Sequence, residues 1–113
     1  MGPATGPCDP DLTALVCTTD VLALGALREA HRRGLDVPGR LTVTGFDGIP
    51  QALGEGLTTV RQPVEEKGRA AGRLLLQQAD PARPGPRTIV LPTALDLGRT
   101  SSSPQPPKWF SGL

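Results

Sequence analysis

Apolar and polar positions along the chain fall into two rhythms. Leu12 to Thr18 (LTALVCT), Leu41 to Phe46 (LTVTGF) and Leu57 to Val60 (LTTV) are short, β-rich runs bounded by turn residues, the length of buried strands. After the first of them, Val21, Leu24, Leu27 and Ala30 recur at helical spacing, with Leu22, Ala23 and Ala26 widening the stripe. Arg28, Glu29, Arg32 and Arg33 fill the other face and the last turn, where cations suit the helix dipole. Thr18, Thr19 and Asp20 are N-cap candidates and Gly34 is a natural terminator, so a helix is predicted over 21–33. Asp47-Gly48-Ile49-Pro50 stops the second strand, and Gln51 to Glu55 has the length of one short helical turn. Pro63 suits the first position of a further helix, with Glu65 and Glu66 in its first turn. Val64, Gly68, Ala71, Leu74 or Leu75, and Gln78 trace its stripe, which ends near Ala79. The stretch from Asp80 to Arg87 is loop by its prolines, Thr88 to Leu91 (TIVL) reads as a fourth strand and Leu95 to Leu97 as a fifth. The order β-α-β-(short helix)-β-α-β-β predicts an α/β fold with crossover connections and a parallel sheet.

Composition sets the scale of this picture. With 113 residues, 37% hydrophobic and 20% charged, there is room for one domain at most, in the globular range. Many of the 14 glycines and 13 prolines lie near the ends. Residues 1–11 read as a flexible tail, 12–98 as the folded part and 99–113 as a disordered tail. A formal net charge of +1, with no dominant basic cluster, does not suggest direct nucleic-acid contact. The longest apolar stretch is broken at Thr18, Thr19 and Asp20, far short of a membrane span, and the N-terminal residues lack a secretory pattern. A cytoplasmic location is the expectation. Cys8 and Cys17 read as unpaired thiols, and His31 as a surface helix residue.

No catalytic set, metal spacing or phosphate loop emerges, so the chain is read as a non-enzyme without a cofactor. Polar groups gather instead at strand ends: Thr18, Thr19 and Asp20 after the first strand, Asp47 after the second, Arg61 and Gln62 after the third. In open α/β sheets ligands bind outside the carboxyl ends of the strands. A carboxylate, hydroxyls and an amide suit a polyhydroxylated ligand, whose hydroxyls need donors and acceptors in fixed directions. Each residue has a plainer role beside that one. Asp20 and Thr19 suit a helix cap, Asp47 before Gly48 a turn, Arg61 a surface charge, and Gln62 the approach to a helix.

These residues also carry a resemblance. CTTDVLALGALREAHRRGLDVPGRLTVTGFDGIP followed by LTTVRQPVEEKGRAAGRLLL resembles the C-terminal part of the effector-binding sensor domain of the lactose/galactose-repressor family, over about Leu12 to Gly98. The resemblance implies a parallel-sheet fragment of a periplasmic-binding-protein-like type I fold, whose parent responds to a small effector, often a sugar, by hinge movement. It implies effector contacts at Thr19 and Asp47, with Gln62 at the cleft. It also implies a homodimer in the intact parent, with Leu24 and Arg28 as interface residues. Thr19 stands where the family usually has Asn, and Gly48 where it has a second Asp. A fragment of a transport-type sugar-binding protein and a stand-alone dimerising interaction protein are the alternative readings. An uncovered apolar face from Val64 to Leu76 is expected to make the chain marginally stable.

Overall fold

A computed structural model describes residues 12–82, 85 and 87–104. The chain runs β1 (Ala14–Val16), α1 (Asp20–Arg32), β2 (Thr42–Asp47), α2 (Pro50–Gly54), β3 (Thr58–Arg61), α3 (Val64–Gln78) and β4 (Ala94–Asp96). The four strands form one sheet in the order β1-β2-β3-β4. β1 pairs parallel with β2 through Leu15 opposite Val43, and β2 pairs parallel with β3 through Gly45 opposite Thr59.

β4 departs from the expected parallel sheet by pairing antiparallel with β3, Ala94 opposite Arg61. The chain leaves the sheet at the carboxyl end of β3 and re-enters beside that same end, so the returning strand must run backwards. The strand expected over 88–91 does not form: Thr88 to Leu91 lacks regular structure and Val90 is 87% exposed. Its β-branched residues meet no partner strand among the described residues, and a strand without a ladder leaves its backbone groups to water.

The core lies on one side of the sheet. Ala23, Leu24 and Leu27 of α1 meet Val43 of β2, Ala52 of α2 and Leu57, all 5% exposed or less. Both α1 and α2 end with a left-handed glycine, Gly34 (φ 71°) and Gly56 (φ 77°). After α1 the amide of Leu35 bonds to Ala30 O and that of Gly34 to His31 O. After α2 the amide of Leu57 bonds to Ala52 O and that of Gly56 to Leu53 O, so both ends are Schellman closures.

The helix starts hold two corrections. Thr19, not Asp20, is the α1 cap, with Oγ1 accepting from the Leu22 amide at 3.2 Å. Pro63 is not in the helix. Its φ of −79° and ψ of 70°, with the Val64 amide bonded to Gln62 O at 2.9 Å, make an inverse γ-turn just before α3.

The expected disordered tail from residue 99 begins as ordered chain. Thr100 is buried, accepts the Val43 amide on its carbonyl at 2.8 Å and donates its hydroxyl to Val43 O at 2.6 Å. The same hydroxyl oxygen accepts from the Thr58 amide at 3.0 Å. Thr100 thereby fills the gap between the amino ends of β2 and β3. Serine and proline composition alone does not show such a seat. Residues 1–11 and 105–113, where the remaining tail expectations fall, lie outside the described residues.

Candidate functional site

The parallel pairing of β1, β2 and β3 brings their carboxyl ends to one edge. That edge carries Thr18 and Thr19 after β1, Asp47 at the end of β2, and Arg61 and Gln62 at the end of β3. The strand-end grouping expected from the sequence is therefore assembled by the topology itself.

Asp20 organises this edge from beneath. It is fully buried, one residue inside α1. Its Oδ2 accepts the backbone amides of Gly48 and Ile49, each at 2.8 Å, and its Oδ1 accepts the Thr59 hydroxyl at 2.5 Å. One carboxylate thus joins α1, the turn after β2, and β3. Charge-assisted bonds of this kind are stronger than neutral ones, which offsets the cost of burying the anion. Room for it comes from Gly45, opposite Thr59 in the ladder, where any Cβ would collide with Asp20 Oδ1 and Leu57. The glycine of the Gly-Phe-Asp run is thus a matter of space.

Asp47 sits on the turn that Asp20 fixes. Its φ is 133°, a left-handed value that costs a non-glycine residue about 1–3 kcal/mol and persists only where the surroundings enforce it. Gly48 follows at φ 78°, packed against Arg61. The Asp47 carbonyl accepts the Gln62 amide at 2.9 Å, and its Oδ1 accepts Gln62 Nε2 at 2.7 Å. Gln62 Oε1 in turn accepts Lys67 Nζ at 2.6 Å. Arg61 forms an ion pair with Asp96 of β4 at 3.0 Å, so much of its charge is balanced across the sheet. Burial pushes the Cys17 thiol above its usual pKa, so it is held as a neutral thiol beside β1.

The candidate residues thus separate. Asp47 and Gln62 are bonded to each other. Thr19 is near the same edge but its oxygen already serves the helix cap, leaving the hydroxyl proton as its remaining donor. Arg28 is exposed and pairs loosely with Glu55 at 3.6 Å. Leu24 is corrected: at 3% exposure it belongs to the intramolecular core and offers no surface to a second chain. The exposed apolar residues of α1 are Val21 and Leu22, at 69% and 58%. Asp20 as a buried anchor was missed by sequence reasoning, although Gly45 in the second strand was its available signal. Lys67 carried no local signal toward Gln62.

A concavity of about 450 Å³ reaches this polar edge only at Thr18. It lies on the sheet face opposite α1, where Val16, Phe46, Val60 and Leu95 share a side with Thr44 and Thr58. A smaller one of about 300 Å³ adjoins the edge, lined by Arg61, Gln62, Pro63, Pro92, Thr93 and Ala94. Among the described residues no His/Cys/Asp/Glu cluster has the arrangement of a metal site, and no helix is long and apolar enough to cross a membrane.

The model of the periplasmic binding protein-like domain matches residues 3–101. The chain belongs to this family. An HTH-type transcriptional regulator of Mycobacterium tuberculosis is 54% identical over 97 residues, covering 85% of this chain and 26% of the regulator. Among solved structures, the complex of the transcriptional regulator CelR with cellobiose is similar at 32% identity and a TM-score of 0.75, covering 81% of this chain and 29% of that one. The lac repressor dimer bound to operator and the anti-inducer ONPF is similar at 28% identity and a TM-score of 0.69, covering 79% and 32%. The chain spans about a quarter of the curated regulators it matches. It corresponds to the C-terminal part of the sensor domain of lactose/galactose-repressor-type regulators, and its periplasmic-binding-protein-like α/β sheet is parallel apart from β4. Its relatives bear the names of transcriptional regulators, not of enzymes.

Proposed function

We propose that the chain contributes one side of the effector cleft in a cytoplasmic, DNA-binding regulator, and that the effector is sugar-like. The observation that carries this reading is the Asp47–Gln62 pair, held at the strand ends by the buried Asp20 carboxylate. Asp47 Oδ2 makes no hydrogen bond among the described residues, which leaves an acceptor for a ligand hydroxyl. Thr19 contributes a hydroxyl donor and Gln62 a further amide hydrogen, so acceptor and donors lie along one edge as a polyol requires. CelR, solved with cellobiose, supports the sugar class, and the regulator names among relatives favour this reading over a transport protein. Dimerisation of the parent, seen in the lac repressor, would use the exposed face of α1 with Arg28.

Titration calorimetry with cellobiose as probe, on the chain and on a full-length relative, tests the reading. Asp47→Ala is expected to weaken binding about 10- to 100-fold, the loss of one hydrogen bond to a charged group worth roughly 1.5–3 kcal/mol. Unchanged affinity in the relative would remove Asp47 from the site.

A further inference from the structure

Gln62 lies between an anion and a cation. Its Nε2 donates to Asp47 Oδ1 at 2.7 Å and its Oε1 accepts from Lys67 Nζ at 2.6 Å. The two ends of an amide are nearly the same shape, so its orientation is decided by its partners. A flipped Gln62 would set its oxygen against the Asp47 carboxylate and its NH₂ against the Lys67 ammonium, repulsive at both ends.

Lys67 comes from a different element than the strands it serves. It lies in the first turn of α3, where its amide closes the first helical bond to Pro63 O at 2.8 Å. Among the described residues, no other side chain of α3 bonds to the strands, α1 or α2; its remaining side-chain pairs are Arg69–Glu65 and Arg73–Glu66 within the helix and Gln77 with Arg87. α3 is therefore joined to the strand ends by two features, the γ-turn at Pro63 and the Lys67–Gln62 bond.

We propose that Lys67 is a positioning residue of the Asp47–Gln62 site, holding the Gln62 oxygen so that the amide NH₂ stays turned to Asp47 Oδ1 and tying α3 to the ligand edge. The site then has a set polarity. Asp47 can only accept, so the group it takes from a ligand must be a donor such as a hydroxyl. A change at Asp47 is passed through Gln62 to the first turn of α3, three residues past the γ-turn. The inference rests on the reading of Asp47 and Gln62 as ligand residues, but its test needs no ligand.

The side-chain amide of Gln62 is followed by ¹⁵N NMR in the full chain, in Lys67→Met and in Lys67→Arg. In the unaltered chain the Nε2 group should relax as a rigid group, with two resolved protons. Lys67→Met should move it toward the mobile range of an exposed glutamine and speed its proton exchange several-fold, with the backbone signals of β1–β3 unchanged. Lys67→Arg, which keeps a donor cation, should restore the rigid signature. A Gln62 signal indifferent to Lys67→Met, or one that Lys67→Arg leaves as mobile as Met does, overturns the proposal. Absence of cellobiose binding by the parent would count against the sugar reading alone, because the amide signal reports Lys67 independently.

Discussion

The segment from β1 to β3 and the segment from α3 to residue 93 have similar apolar patterns and opposite fates. In the first, Val43, Leu57 and Ala52 are 1% exposed or less. In the second, Leu75 and Leu76 are 69% and 75% exposed and Val90 is 87% exposed. Both α1 and α3 are amphipathic, and α3 is two residues longer. The difference is the opposing surface. The stripe of α1 lies on β2 and α2, whereas only Ala70 of α3 is buried. Most helical stability comes from packing an apolar face and not from propensity, so α3 contributes little to holding this chain together.

The strongest way to break the comparison is at Asp20. Asp20→Ala would orphan two backbone amides and one hydroxyl beneath the strand-end edge. At about 1–3 kcal/mol for each unsatisfied buried group, a loss of at least 3 kcal/mol is expected, enough to abolish a cooperative urea transition in a small domain. A retained transition near the original midpoint would show that the anchor is dispensable.

Paired truncations sharpen the contrast between the two segments. Leu57→Ala should cost roughly 2–5 kcal/mol, as for a fully buried leucine. Leu75→Ala should stay within about 0.5 kcal/mol, as for an exposed position. Urea midpoints of the two variants measure this directly, and equal losses would mean that α3 is packed in solution. The same exposure predicts self-association through α3, which sedimentation of Leu76→Glu against the unaltered chain would reveal.

The smallest effect lies on the surface of α1. Hydrogen bonds from Arg32 and Arg33 hold the Glu29 carboxyl at about 2, well below its ordinary value of 4.5, and the same bond raises Arg32. A carboxyl whose folded pKa is depressed adds stability above its unfolded value, and that stability is lost as pH falls from 4.5 towards 2. Both side chains are exposed, so salt should shrink the effect. Side-chain ¹³C titration of Glu29 checks the value, and Glu29→Gln should remove the corresponding acid-dependent part of the stability.

The sequence alone was enough for the elements whose partners are close in the chain. α1, predicted over 21–33, is found at Asp20–Arg32, and the second strand, expected over 41–46, at Thr42–Asp47. Local periodicity, a capping threonine and terminating glycines are short-range physics, and every signal for them is in the segment itself. The edge bearing Asp47 and Gln62 was legible for a related reason: a parallel α/β order puts successive strand ends side by side. Tertiary structure decided what depended on distant contacts. It buried Leu24 in the core with the rest of the stripe that spacing marks, where the resemblance had implied an interface residue. Thr100 became ordered because a gap between β2 and β3 accepts its hydroxyl and carbonyl, and Thr88 to Leu91 stayed irregular because no strand lies beside it among the described residues. Asp20 changed from a cap to a buried anchor because Gly45, twenty-five positions away, leaves space for its carboxylate beside Thr59. A residue's chemistry is written in the chain, but its partner is set by the fold.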